Sequence, residues 1–296
     1  MKTQKILSLI VASLLLANCA QKDEDAPSDF SEVGSSLEGT LNSLGAFADD
    51  MGDSSSASAL STAMAPQSAT IQAGAFCERA AAQSCQASGA TSTKSATYNG
   101  CVIPFTAVTA TGDVGLAFNN NSCSLSNAGD SVTRTYDVTL QGYFGATLRI
   151  SSESHQNYEG TTLGGGGTGT RTAGGWELNL HGQHRVFKTP RGIEVGNVSL
   201  RTTTPVLVTG TLSKVNRVIN SGVVEVAHNR AKITAIYTPS NLTYNSSCCY
   251  PVSGSLNVTW RGAETGSADI AITGCGTAKI THDDGTVENK TFKYCE

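Results

Sequence analysis

The sequence predicts a mainly β protein built as a single large antiparallel meander sheet, either a sandwich or a curved half-barrel. Three observations carry this. Apolar and polar residues alternate with a period of two through most of the chain after about residue 95. Glycine is abundant, at 31 of 296 residues, while aromatics reach only 6% and charged residues 15%; with many Thr, Ser and Asn, this is the composition of a turn-rich β protein. Eight cysteines fall into two tight clusters, the arrangement of a disulfide framework.

Taken in order, the chain opens with two lysines in Met1–Lys5, followed by Ile6 to Ala17, apolar apart from Ser8 and Ser13. Twelve such residues are too few to span hydrocarbon, which needs about 20, and match the apolar region of a secretory signal. Leu16-Ala17-Asn18-Cys19 then places a cysteine three residues after a leucine. This resembles the lipobox of bacterial lipoproteins, with Asn18 standing where that family has Gly or Ala. The resemblance implies a signal peptide over residues 1–18, acylation of Cys19 as the mature N-terminus and, with Ala20 next to it, sorting to the outer membrane.

Residues 19–70 read as an acidic tether. Nine acids lie between Ala20 and Asp53 against Lys22 alone, and Ser54 to Ser68 is mostly Ser and Ala, too polar and small-sided to bury a core. Leu37, Leu41, Leu44, Phe47 and Met51 form a helical stripe inside it. A second short helix is expected over Phe76 to Gln86. Along such a helix Cys77 and Cys85 stand about 12 Å apart, beyond the roughly 7 Å that a disulfide spans, so each is expected to pin to the sheet, with Cys101 and Cys123 as natural partners.

Residues 71–296 are expected to form the β domain. Tyr136, Val138 and Leu140 alternate with Thr135, Asp137, Thr139 and Gln141; Trp176, Leu178 and Leu180 with Glu177, Asn179 and His181; Leu256, Val258 and Trp260 with Asn257, Thr259 and Arg261; Ile270 and Ile272 with Ala271 and Thr273. One buried and one wet face mark antiparallel strands. Turns are expected at Asn220-Ser221-Gly222, His228-Asn229, Gly164–Gly167 and Asp283-Asp284-Gly285. A membrane barrel would need aromatic girdles, and the aromatics are too few.

The disulfide candidates are Cys77, Cys85, Cys101 and Cys123 in one cluster and Cys248, Cys249, Cys275 and Cys295 in the other. Clustering favours pairing within each group, and no zinc-ligand spacing is present. Adjacent residues on a strand face opposite sides, so Cys248 and Cys249 are expected to reach different partners rather than each other. The segment Cys248-Cys249-Tyr250-Pro251, with Gly274-Cys275-Gly276 and Cys295, is similar to the end of a group of uncharacterised Gram-negative envelope lipoproteins, a likeness that brings no activity with it.

Catalytic templates fail: no Gly-x-Ser-x-Gly elbow and no P-loop lysine after Gly164–Gly169; no carboxylate pair is nominated by spacing, with Asp283-Asp284 in a turn and Glu153 and Glu159 flanking an expected hairpin. A turn at Gly182-Gln183 would make His181 and His184 cross-strand neighbours, and Glu177 shares the face of His181; these three are the weak metal candidates, with no cofactor expected. His155, His228 and His282 read as solvated. From Ser54 onward 17 Lys and Arg stand against 15 Asp and Glu, so no basic stripe points to nucleic acid. The sequence therefore reads as a non-enzymatic, lipid-anchored cell-envelope protein with a binding or structural role. Its partners would be the membrane, through the anchor, and another envelope protein or a glycan; the alternatives are a carrier of an apolar, lipid-like ligand or an envelope hydrolase.

Overall fold

A computed structural model describes residues 85–102, 108–142, 144–210, 216–248 and 250–292. The signal peptide, the tether with its helical stripe and most of the second expected helix lie outside these residues, as do Cys19, Cys77, Cys249 and Cys295.

Among the described residues sixteen strands are formed: β1 (Gln86–Ser88), β2 (Thr91–Val102), β3 (Thr109–Phe118), β4 (Ser131–Gln141), β5 (Thr147–Ser151), β6 (His155–Gln156), β7 (Thr162–Leu163), β8 (Gly166–Arg171), β9 (Gly175–Lys188), β10 (Glu194–Thr209), β11 (Val218–His228), β12 (Ile233–Thr243), β13 (Ser253–Gly262), β14 (Gly266–Gly274), β15 (Thr277–His282) and β16 (Val287–Thr291). Fourteen of them make one antiparallel sheet in meander order, and β6 and β7 pair separately. The expected fold class holds. The end of the expected helix is corrected, since Gln86 opens β1, paired with Thr93 of β2.

The alternation read from the sequence is the burial pattern of the strands. Val132, Tyr136, Val138 and Leu140 on β4, and Leu256, Val258 and Trp260 on β13, are at most 7% exposed. Phe118 on β3, Leu178 on β9, Tyr237 on β12, Ile270 on β14 and Ile280 on β15 join one continuous buried cluster. A second cluster on the same sheet gathers Tyr98, Val114, Tyr136, Val138 and Leu140. A fully buried Leu, Ile or Phe contributes about 1.5–3 kcal/mol, so these two clusters carry most of the fold's stability.

One irregularity governs the outer face. β5 pairs with both β4 and β9, and so does β8. The two are halves of a single strand position, and the chain between them, residues 152–165, leaves the sheet and returns. This strap contains the β6–β7 pair.

Two expected turns are corrected by the way glycines are used. Asn220-Ser221-Gly222 lies inside β11, where the pairing with β10 shifts register. Gly222 has φ 137°, and a Cβ there would fall 2.7 Å from Val206 Cα; the glycine permits close strand approach rather than chain reversal. Gly182-Gln183 lies inside β9, because a Cβ on Gly182 would meet the Gly164 nitrogen at 2.1 Å. The returning strap crosses there, and only a glycine leaves room for it. Asp283-Asp284-Gly285 does turn the chain between β15 and β16, and the chain reverses just past His228.

Disulfides join Cys85 to Cys123 and Cys248 to Cys275, each with Cα atoms 5.8 Å apart and each inside its own cluster. Cys101 is also disulfide-bonded. Loops of 38 and 27 residues correspond to roughly 3–4 kcal/mol of stabilisation apiece. Cys248 bonds Cys275, which leaves no Cys248–Cys249 bond.

Candidate functional site: the strap and the polar face beneath it

The tip of the strap is a rigid turn. Asn157 Oδ1 accepts the amides of Glu159 and Thr161 at 3.0 and 2.9 Å, and the Gly160 amide donates to the Asn157 carbonyl at 2.9 Å. An Asx-type turn of this kind fixes where its side chains point. Here Tyr158 and Glu159 reach back onto the sheet.

The Tyr158 amide donates to Asn229 Oδ1 at 2.9 Å, and its hydroxyl accepts from Thr234 Oγ1 at 3.0 Å. Burial raises the Tyr158 pKa above its ordinary value, and the Thr234 hydrogen bond partly offsets that. Glu159 takes a two-point bond from Arg261, Nε to Oε1 at 3.0 Å and Nη2 to Oε2 at 3.1 Å. That guanidinium holds the Glu159 carboxyl below the usual carboxylate range. Arg261 also lies 3.3 Å from Glu225 Oε1, and Glu225 Oε2 accepts from Arg201 Nε at 2.6 Å. Four alternating charges from the strap, β13, β11 and β10 thus form a chain, with Glu225 its least exposed member.

Nearer the strap's root the network is uncharged and directional. His155 Nδ1 sits 3.1 Å from the Glu153 carbonyl, which can only accept, so Nδ1 carries the proton. Nε2 is then the acceptor for the Ser199 hydroxyl at 2.9 Å. Ser199 Oγ in turn accepts from Asn229 Nδ2 at 2.8 Å. The His155 ring stacks on that of His184, centroids 4.2 Å apart and planes 10° apart, while His184 Nε2 donates to Asn197 Oδ1 at 2.8 Å. Burial is the main force lowering the His155 pKa, and the neighbouring His184 lowers it further.

A hydroxyl donating to an imidazole whose other nitrogen is held by a carbonyl is the order of a nucleophile, a base and an orienting group. Ser199, however, is 1% exposed, and its oxygen also accepts a hydrogen bond from Asn229. The oxygen is closed off from solvent, and the trio links the strap to β10 and to Asn229.

The residues singled out from sequence fall differently. His181 is not opposite His184: it is exposed on β9 and bonds Thr168 Oγ1 at 2.9 Å. Glu177, also exposed, faces Thr170 and Leu207. The hairpin that would have joined His181 and His184 does not form, because Gly182 accommodates the strap within a continuous strand. Among the described residues no group of three His, Cys, Asp or Glu is placed to hold a metal ion. The solvated reading of the other histidines is corrected for all three. His155 is hydrogen-bonded to Ser199, burial lowers the pKa of His228, and the His282 side chain is 8% exposed with Nε2 4.0 Å from Glu288. Glu153 precedes the β6–β7 pair, whereas Glu159 lies in the turn that joins the two strands rather than flanking them; each is tied to an arginine, Arg149 and Arg261.

Sequence reasoning missed Tyr158, Ser199, Asn229, Glu225 and Arg261 as a group, since they lie as far as 103 residues apart. The one available signal was the glycine run at 164–167, which marks the strap's return. Compared with protein-family models, curated proteins and solved structures, the chain matches none of them.

Proposed function

We propose that this chain is a lipid-anchored protein of the bacterial cell envelope, acylated at Cys19 and sorted to the outer membrane, with a non-enzymatic binding or structural role. The observation that carries the reading is the disulfide bracing of an otherwise hydrogen-bonded β body: Cys85–Cys123 and Cys248–Cys275 persist in an oxidising compartment. The lipobox-like Leu16–Cys19 supplies the route there, and a diacylated cysteine gives lasting attachment where one chain alone holds only marginally.

A binding or structural role fits the way the polar groups are spent. The most organised cluster, around Ser199 and His155, closes on itself rather than on an opening. A carrier of an apolar ligand is less well supported, because the inner-face cluster from Phe118 to Phe292 consists of side chains no more than 8% exposed, a filled core rather than a hollow one.

Metabolic labelling with palmitate tests the anchor. Label is expected in the wild-type chain, recovered with outer membranes, and absent from Cys19→Ser. Unlabelled wild-type protein in the soluble fraction would remove the basis of the reading.

A further inference from the structure

The turns at one rim of the sheet differ from all others. β4–β5 turns at residues 142–146, β9–β10 at 189–193 and β11–β12 at 229–232, and register places the three side by side: Thr147 pairs with Lys188, Lys188 with Glu194 and Val198 with His228. They touch. A Cβ on Gly145 would lie 3.8 Å from Pro190 Cβ, and Arg230 Nη1 donates to the Glu194 carbonyl.

The two most exposed large apolar side chains among the described residues project here, Phe144 at 69% and Ile193 at 59%. Around them stand Lys188, Arg191, Arg230 and Lys232, all exposed. The one acid among them, Glu194, accepts a hydrogen bond from Asn197 at 2.9 Å. The described loops of the opposite rim hold no lysine, and their one arginine, Arg217, is buried. Farther along the same rim the charge reverses, with Glu264, Asp283 and Asp284 exposed.

We propose that these three turns dock on an anionic phospholipid bilayer, Phe144 and Ile193 entering the headgroup layer while the four cations engage phosphates. Separate apolar tips ringed by long basic side chains match an interface that is greasy below and negatively charged above. A protein partner would instead ask for a contiguous, charge-depleted patch. The acidic far end is repelled by the same surface, so the sheet stands with its β4–β12 rim down. This contact does not depend on acylation of Cys19.

The test uses the chain from residue 19 onward carrying Cys19→Ser, and sedimentation with vesicles of phosphatidylcholine alone or with 30% phosphatidylglycerol (about a third anionic, enough to set a surface potential). Binding is expected only with phosphatidylglycerol and is expected to fall in 0.5 M salt, where the Debye length drops below roughly 5 Å. Each basic residue near such a surface is worth about fivefold, so Lys188→Gln with Arg191→Gln is expected to weaken binding about 25-fold. Phe144→Ser with Ile193→Ser is expected to abolish it at unchanged melting temperature, whereas Leu207→Ser and Val287→Ser, at the other two exposed apolar sites, leave it intact. Phe144→Trp read against brominated phosphatidylglycerol gives an independent measure, with quenching expected. Equal binding to both vesicle types, binding undiminished in the double variants, an unquenched tryptophan, or preference for an oligonucleotide at the same rim would overturn the proposal. A negative palmitate result leaves this outcome untouched.

Discussion

His155 shows how one side chain's chemistry constrains its surroundings. Its acceptor nitrogen exists only while the ring is neutral, and Ser199 depends on it. Because burial lowers its pKa in the folded protein, the unfolded chain binds more protons than the folded one once the pH falls through the ordinary histidine value of 6.5. Stability is therefore complete above that value and declines below it. His228 is shifted the same way by burial and adds to the loss. Glu159 contributes in a lower window: its depressed pKa stabilises the fold above the ordinary carboxylate value of 4.5 and the contribution is lost as the pH falls through the folded value. Thermal unfolding measured from pH 7.5 to 3.5 is expected to show both declines, and His155→Gln is expected to flatten the upper one. Ser199→Ala removes the donor to His155 and leaves the Asn229 amide with Asn197 Oδ1 as its remaining acceptor, at a cost of about 1–3 kcal/mol. Gly182→Ala is expected to be worse than either, since its Cβ has no room beneath the returning strap.

At the scale of the element, the strap is an insertion into one strand position, fastened by polar contacts. Among the charges, Arg261 is 41% exposed, so its pair with Glu159 is screened and worth no more than about 1 kcal/mol in a double-mutant cycle. Hydrogen exchange is accordingly expected to show the amides of residues 153–163 opening well before those of β12 and β13, and an Arg261→Met variant is expected to widen that gap. The same element explains what the sequence did and did not disclose. β13 was legible because every second residue from Leu256 to Trp260 meets the core and its polar neighbours meet water. β9 was legible in its first half and misread at Gly182-Gln183, where a glycine that looks like a turn residue is there to let another segment pass. Nothing local in Ser199, Asn229 or Glu225 announces the strap, since their roles exist only once distant strands are in register.

At the scale of the molecule, the sheet formed by the described residues ends at β1 and β16, and both end strands are blunted. β1 is only Gln86–Ser88, and β16 carries Glu288 and Lys290, a pattern that discourages edge-to-edge association. Cys248–Cys275 ties two turns of one rim, and Cys123, in the β3–β4 loop of that same rim, bonds Cys85 just before β1. The exposed apolar and basic turns lie at the rim opposite the Cys248–Cys275 bridge.

Intact-mass analysis of the chain isolated from cell envelopes, alkylated without reduction, tests the central claim most directly. The account predicts a polypeptide that begins at Cys19, carries the added mass of acyl chains and takes up no alkyl groups at Cys85, Cys123, Cys248 or Cys275. A chain that retains Met1 to Asn18 without acyl mass, or alkylates at those four sulfurs, would contradict it.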